Sequence, residues 1–101
     1  MWICLNNGFV SAVEKWGDPD RLIVRARRRE HLADNFANWN IETHDDRDYR
    51  YRIDISKEDF ANIVKSRIMN IDYGNFKDSV RDDQLHNLYA NFWTLHWRYQ
   101  R

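Results

Sequence analysis

Tyr49, Tyr51, Ile53 and Ile55 alternate with Arg50, Arg52 and Asp54, the cleanest period of two in the chain. Such alternation demands a β-strand with one buried face. It turns the tyrosines and isoleucines inward and the arginines toward solvent. The same stretch is flanked by opposite signals. Asp45-Asp46-Arg47-Asp48 reads as a polar turn before it, and Ser56-Lys57-Glu58-Asp59 reads as a helix N-cap with a carboxylate at the third helical position after it. The helix that follows is expected to bury Phe60, Ile63, Val64 and Ile68. A strand that feeds directly into a helix places this chain among folds that mix the two.

The amino-terminal third adds three strands. Asn6-Asn7-Gly8 separates the apolar run Trp2–Leu5 from a second run, Phe9–Trp16, and Asn-Gly is the signature of a type I′ hairpin turn. Gly17-Asp18-Pro19-Asp20 predicts the next turn, and Leu22, Val24 and Ala26 then alternate with Ile23, Arg25 and Arg27 as a third strand. The period changes at Leu32, Phe36 and Trp39, which predicts a short amphipathic helix over residues 29–38. Ile41–His44 returns to strand character. Asn70 and Asp72-Tyr73-Gly74-Asn75 close the second helix, and a last helix runs over residues 82–98 with Leu85, Leu88, Phe92 and Leu95 as its apolar stripe. Asp82 and Asp83 suit its positive N-terminal end. The element order is β-β-β-α-β-β-α-α. The simplest burial of these patterns is one α+β domain over residues 1–101, a two-layer sandwich of a mainly antiparallel sheet with helices on one face. Its middle part, residues 22–44, is loosely ferredoxin-like, with a right-handed crossover if the two strands are parallel neighbours.

Charge limits the partners. Sixteen Lys and Arg balance sixteen Asp and Glu, and each half of the chain is balanced as well. A neutral chain does not advertise nucleic acid or membrane through bulk charge. One cysteine, Cys4, forms no internal disulfide, which with the absence of a basic, apolar leader predicts a cytoplasmic protein. No apolar run approaches the length of a membrane span.

Chemistry-bearing residues are sparse. His31, His44, His86 and His96 show no metal-type spacing with one another or with Cys4. No phosphate loop, nucleophile elbow or HExxH motif occurs. Cys4 lies in a strand, where a small buried thiol is the common case. The expectation is a protein that is not an enzyme and takes no cofactor and no metal. Arg25-Ala26-Arg27-Arg28-Arg29, together with Arg50 and Arg52, forms the alternative site, a nucleic-acid-binding surface in which Tyr49 and Tyr51 interleave with arginines. The leading candidate is aromatic. Beyond its stripe the last helix still carries Tyr89, Trp93, His96, Trp97 and Tyr99, more than one helix face can direct into a sheet. Exposed clusters of Trp and Tyr mark binding surfaces.

Met1–Ser11, Leu22–Arg27 and especially Asp72-Tyr73-Gly74-Asn75-Phe76-Lys77-Asp78-Ser79-Val80 resemble a group of small uncharacterised bacterial and phage-associated proteins. That group supplies no activity or catalytic residue to transfer. The resemblance implies a small cytoplasmic protein carried by phage or mobile elements. By analogy of size and context it implies an inhibitor or regulator that binds a host protein, as anti-CRISPR proteins do. It also directs attention to Tyr73 and Phe76 in the loop before the last helix. The expected partner-binding set is therefore Tyr73, Phe76, Tyr89, Trp93, His96 and Trp97, with a host protein or a second copy of the chain as partner. A homodimeric structural domain is the remaining alternative.

Overall fold

A computed structural model describes all residues, 1–101. The elements are β1 (Trp2–Leu5), β2 (Gly8–Lys15), β3 (Asp18–Ala26), α1 (Arg29–Ala33), β4 (Glu42–Thr43), β5 (Tyr51–Ser56), α2 (Lys57–Met69), a 3-10 turn (Lys77–Ser79) and α3 (Asp83–Gln100). The fold is α+β, with the expected order of strands and helices. All five strands form one sheet in the order β1-β2-β3-β5-β4, and every neighbouring pair is antiparallel. β3 and β4 consequently run parallel, but β5 lies between them. No crossover joins neighbouring strands. The β3-α1-β4-β5 unit is instead a split β-α-β arrangement, which is where the ferredoxin-like character resides.

The helices do not share one face of the sheet, and the two-layer expectation is corrected to three layers. Gly8 to Ala12 are buried without alternation, so β2 is covered on both sides. Val10 and Ala12 join Val24, Ala26, Ile53 and Ile55 beneath α1 and α2, where Leu32, Phe36 and Phe60 close the main core. Phe36 stacks on Phe60 with ring centroids 5.8 Å apart. Phe9 points the other way, into a second cluster with Tyr49, Val80, Leu85 and Tyr89 under α3. Tyr49 was expected beside Ile53 and Ile55; it falls on the opposite face because β5 begins only at Tyr51, and the period of two breaks before it.

The ends of the elements follow local chemistry. The Ser56 hydroxyl accepts the Asp59 N–H at 3.0 Å, the expected cap of α2. Phe60 is buried, Ile63 and Val64 are half-buried, and Ile68 is exposed rather than buried. α1 stops at Ala33, five residues short of its expected end. The β2–β3 turn is Trp16-Gly17, with Gly17 at φ 79°, while Asp18, Pro19 and Asp20 already belong to β3. The β2–β3 register shifts between Glu14 and Lys15, and Pro19 occupies that irregular stretch, where a missing N–H costs no ladder bond.

The β1–β2 turn is Asn6-Asn7, and it is not type I′, since Gly17 alone has positive φ. Side chains from all three helices hold it. Arg67 of α2 donates to Asn6 Oδ1 at 2.8 Å and Asn7 Oδ1 at 3.1 Å, and also bonds Asn35. Tyr89 of α3 donates its hydroxyl to the Leu5 carbonyl at 2.9 Å and the Gly8 carbonyl at 3.0 Å. His31 of α1 accepts the Phe9 N–H at 3.2 Å through Nδ1. Gly8 serves here for space rather than for φ: an added Cβ would meet the His31 Cβ at 3.0 Å and its Cα at 3.1 Å, so the start of α1 would have to give by a few tenths of an ångström.

Tyr89→Phe keeps the ring and removes the hydroxyl's hydrogen bonds to the two turn carbonyls, so it should lower stability by about 1–3 kcal/mol. Urea denaturation followed by circular dichroism measures this; an unchanged midpoint would mean that the hydroxyl contributes nothing to the turn.

Candidate functional site

α3 starts at Asp82, whose Oδ1 accepts the Leu85 N–H at 3.0 Å. That bond holds the carboxyl below its ordinary range, and it also satisfies one orphan donor of the first turn. The inward stripe of the helix is Leu85, Tyr89 and Phe92. Leu88 and Leu95, expected in that stripe, are exposed. Tyr89 takes the central place because only its hydroxyl reaches the two turn carbonyls while the ring packs on Phe76 and Phe92, at 5.1 and 5.9 Å. Tyr89 is 3% exposed and leaves the partner-binding set; burial drives its phenol pKa far upward.

Beyond Phe92 the helix has no buried residue, so its last two turns project with little beneath them. Trp93 and Trp97 are 53% and 48% exposed and stand one turn apart, with their rings nearly parallel at 10° and centroids 6.5 Å apart. A cation lies over each ring. The Lys77 Nζ is 4.7 Å from the Trp93 centroid, and the Arg101 guanidinium is 5.0 Å from that of Trp97. Leu95 and Tyr99 are exposed on the opposite side of the same turns. His96 is exposed and lines a groove with Cys4, Phe76 and Trp93. Phe76 and Tyr73 are half-buried, 5.8 Å apart, and Phe76 fixes the 71–83 segment to α3. The six expected residues therefore divide: Trp93, His96 and Trp97 form a surface, Tyr73 and Phe76 border it, and Tyr89 supports it from within.

Cys4 is exposed at the groove, not buried in the strand as expected. Desolvation by partial burial pushes its thiol pKa up, which lowers the thiolate population at neutral pH.

The arginines do not gather into one patch. Arg25 donates to Ser11 Oγ at 2.8 Å and lies 4.6 Å over the Tyr49 ring, with its Nε buried and without a partner. Arg27 lies 4.3 Å over the same ring and pairs with Asp48 at 3.2 Å. Arg28 bonds Gln84 of α3, and Arg29 begins α1 exposed. Arg50 pairs with Asp45 at 2.5 Å. Arg52 stands directly opposite Arg25 in the β3–β5 register, and burial followed by the Arg25 and Arg47 charges lowers its pKa. Neither Arg25 nor Arg52 has a carboxylate within ion-pair distance, whereas neighbouring Arg21 and Lys15 share Asp54 at 2.6 and 2.5 Å.

Two exposed tryptophans carried no site signal in the sequence. Trp16 is 98% exposed at the tip of the β2–β3 hairpin, and Trp2 stands exposed on β1, edge-on to Phe9 at 5.8 Å. An indole in an alternating or turn segment looks the same in sequence whether it is covered or not. His44 contacts Glu42 at 3.2 Å, and no group of three or more His, Cys, Asp or Glu is arranged to hold a metal ion. No helix is long and apolar enough to cross a membrane. No family model, curated protein or solved structure matches this chain.

Desolvation lowers the pKa of His31, against a smaller raising effect of Glu30. Its Nδ1 is moreover committed as an acceptor to the Phe9 N–H, which a protonated ring cannot serve. The folded protein thus binds this proton less readily than the unfolded chain. His31 stabilises the fold above the unfolded pKa of 6.5, and that stability is lost as pH falls below it. Thermal unfolding scanned from pH 7.5 to pH 5.5, a window set by the ordinary histidine range of about 6.5, should show a falling midpoint that is flatter in His31→Gln. Equal slopes would remove His31 as the source.

Proposed function

We propose that the protein acts by protein–protein association rather than by catalysis, through the distal half of α3. One observation carries this reading: Trp93, Leu95, Trp97 and Tyr99 stay exposed on two helical turns that contribute nothing to either core. Large rigid aromatics at a protruding helix end suit an anchor role in an interface. The Lys77 and Arg101 cations over the two indoles add a charge requirement. The fitting partner presents an apolar groove with an acidic rim, and a helix entering a groove is a common recognition mode. Covering the exposed half of each indole is worth about 2–3 kcal/mol, from roughly 25 cal/mol per Å² of apolar surface. The partner we propose is a host protein. A second copy of the chain is the other candidate.

A second reading rests on Arg25 and Arg52, two half-buried arginines held opposite one another without a carboxylate. Guanidinium groups so placed suit the phosphates of a nucleic acid. The pairing of Arg27 and Arg50 with Asp48 and Asp45 works against it, because it neutralises the charge around them.

Trp93→Ala with Trp97→Ala should leave the fold intact, as judged by circular dichroism, and should weaken association by tenfold or more. Sedimentation velocity over a concentration series and capture on immobilised protein at matched concentration are the measurements. If the wild type sediments as a monomer throughout and captures nothing that the double variant fails to capture, the reading fails. Binding of single-stranded DNA that weakens steeply with salt, and that Arg25→Gln reduces, would favour the second reading instead.

A further inference from the structure

The first half of α3 packs on the second cluster through Leu85 and Tyr89, while Leu88 stays exposed. Between this half of the helix, the Phe9 side of β1–β2 and the entry to α1 is a cavity of about 400 Å³, within the range of small-ligand sites. Its walls are apolar and largely aromatic: Trp2, Phe9, Leu88 and Phe92. Phe9 meets both Trp2 and Phe92 edge-on, at 5.8 and 5.7 Å, so the three rings form a bent wall rather than a closed stack. Trp2 and Leu88 remain exposed there, an apolar surface that the protein itself leaves uncovered.

Arg27 and Arg28 also line the cavity. Arg28 spends its hydrogen bond on a neutral amide, Gln84, and has no carboxylate within ion-pair distance. The Asp82 carboxylate, held by the Leu85 N–H as the α3 cap, acts on Arg28 only through space and forms no ion pair with it. Arg27 donates Nη1 to the Asp48 carboxylate at 3.2 Å and to its backbone carbonyl at 2.9 Å; the ion pair is exposed on both sides and worth about 0–1 kcal/mol, and the other guanidinium N–H groups make no hydrogen bond. His31 also lines the cavity, and with its Nδ1 taken by Phe9 the ring proton sits on Nε2, which adds a neutral donor.

We infer that this cavity binds a small aromatic carboxylate, with its ring against Trp2, Phe9 and Phe92 and its carboxylate on Arg28 and Arg27. A guanidinium fork matches the planar carboxylate through two parallel hydrogen bonds. One unpaired and one loosely paired guanidinium balance a single negative charge, which favours a carboxylate over a dianionic phosphate. The site is separate from the distal half of α3, and the two stand or fall independently.

The test compares naphthoate with its near-isosteric amide, naphthamide, by calorimetric titration of the full chain and by amide and indole shifts in two-dimensional NMR. Naphthoate should shift the Phe9 amide and the Trp2 indole, and should bind about tenfold or more tightly than naphthamide, the worth of a charged hydrogen bond. Arg27→Gln with Arg28→Gln should erase that preference while naphthamide binding persists, which shows that the pocket survives the substitutions. Equal affinity for the two probes, no binding of either at millimolar concentration, a preference that outlives the double variant, or shifts confined to Trp93 and Trp97 would each overturn the assignment.

Discussion

The turn from Leu5 to Phe9 is the point on which the rest of the molecule depends. A hairpin turn ordinarily hands its backbone groups to water. Here two carbonyls are given to Tyr89, an amide to His31 and two asparagine side chains to Arg67. Each partner comes from a different helix, and those helices approach from both faces of the sheet. The apolar clusters on the two faces supply most of the favourable free energy, but apolar contact is not directional. The polar bonds at this turn set where each helix sits. They also fix the strand register, because a slip of one residue would exchange Phe9 with Val10 and empty both cores at once.

Fixing α3 at Tyr89 has two consequences for function. The helix is held near its middle, so the turns beyond Phe92 extend past the sheet and carry their aromatics into solvent. Its N-terminal half meanwhile borders the cavity between Trp2 and Phe92, where Arg28 and Gln84 are joined by a hydrogen bond. Both surfaces follow from one anchor. The arginines, which a sequence scan gathers into a run, are divided by the same geometry. Arg25, Arg27 and Tyr49 build a stacked wall with Arg52 beside Arg25, Arg28 reaches α3, and Arg50 turns to Asp45.

Much of the fold was legible because the residues that make it act locally. The alternation ending in Ile53 and Ile55, the Ser56 cap and the Asn6-Asn7-Gly8 break each fix a boundary without help from elsewhere in the chain. What was not legible depends on partners far away in sequence. Tyr89 and Leu88 are neighbours on one helix, and only carbonyls eighty-one and eighty-four residues earlier decide which of them turns inward. The three layers show in the unbroken burial of Gly8–Ala12, which includes the polar Ser11, whereas alternation elsewhere in the sequence pointed to a single covered face. Of the candidate surface, Trp93, His96 and Trp97 were readable as a surplus that one stripe cannot absorb. Trp2 and the arginine-lined cavity were not, because a concave surface exists only once β1, α1 and α3 are assembled.

Native-state hydrogen exchange at the Phe9 amide tests the dependence on this turn most directly. Residues beside a hairpin turn ordinarily open locally at low free energy. If the turn is held by all three helices, the Phe9 amide exchanges only through global unfolding, with the same free energy as Val10 and Val24 in the sheet. Exchange of Phe9 at markedly lower free energy than those two would show the turn opening while the sheet stays closed, and would contradict the account.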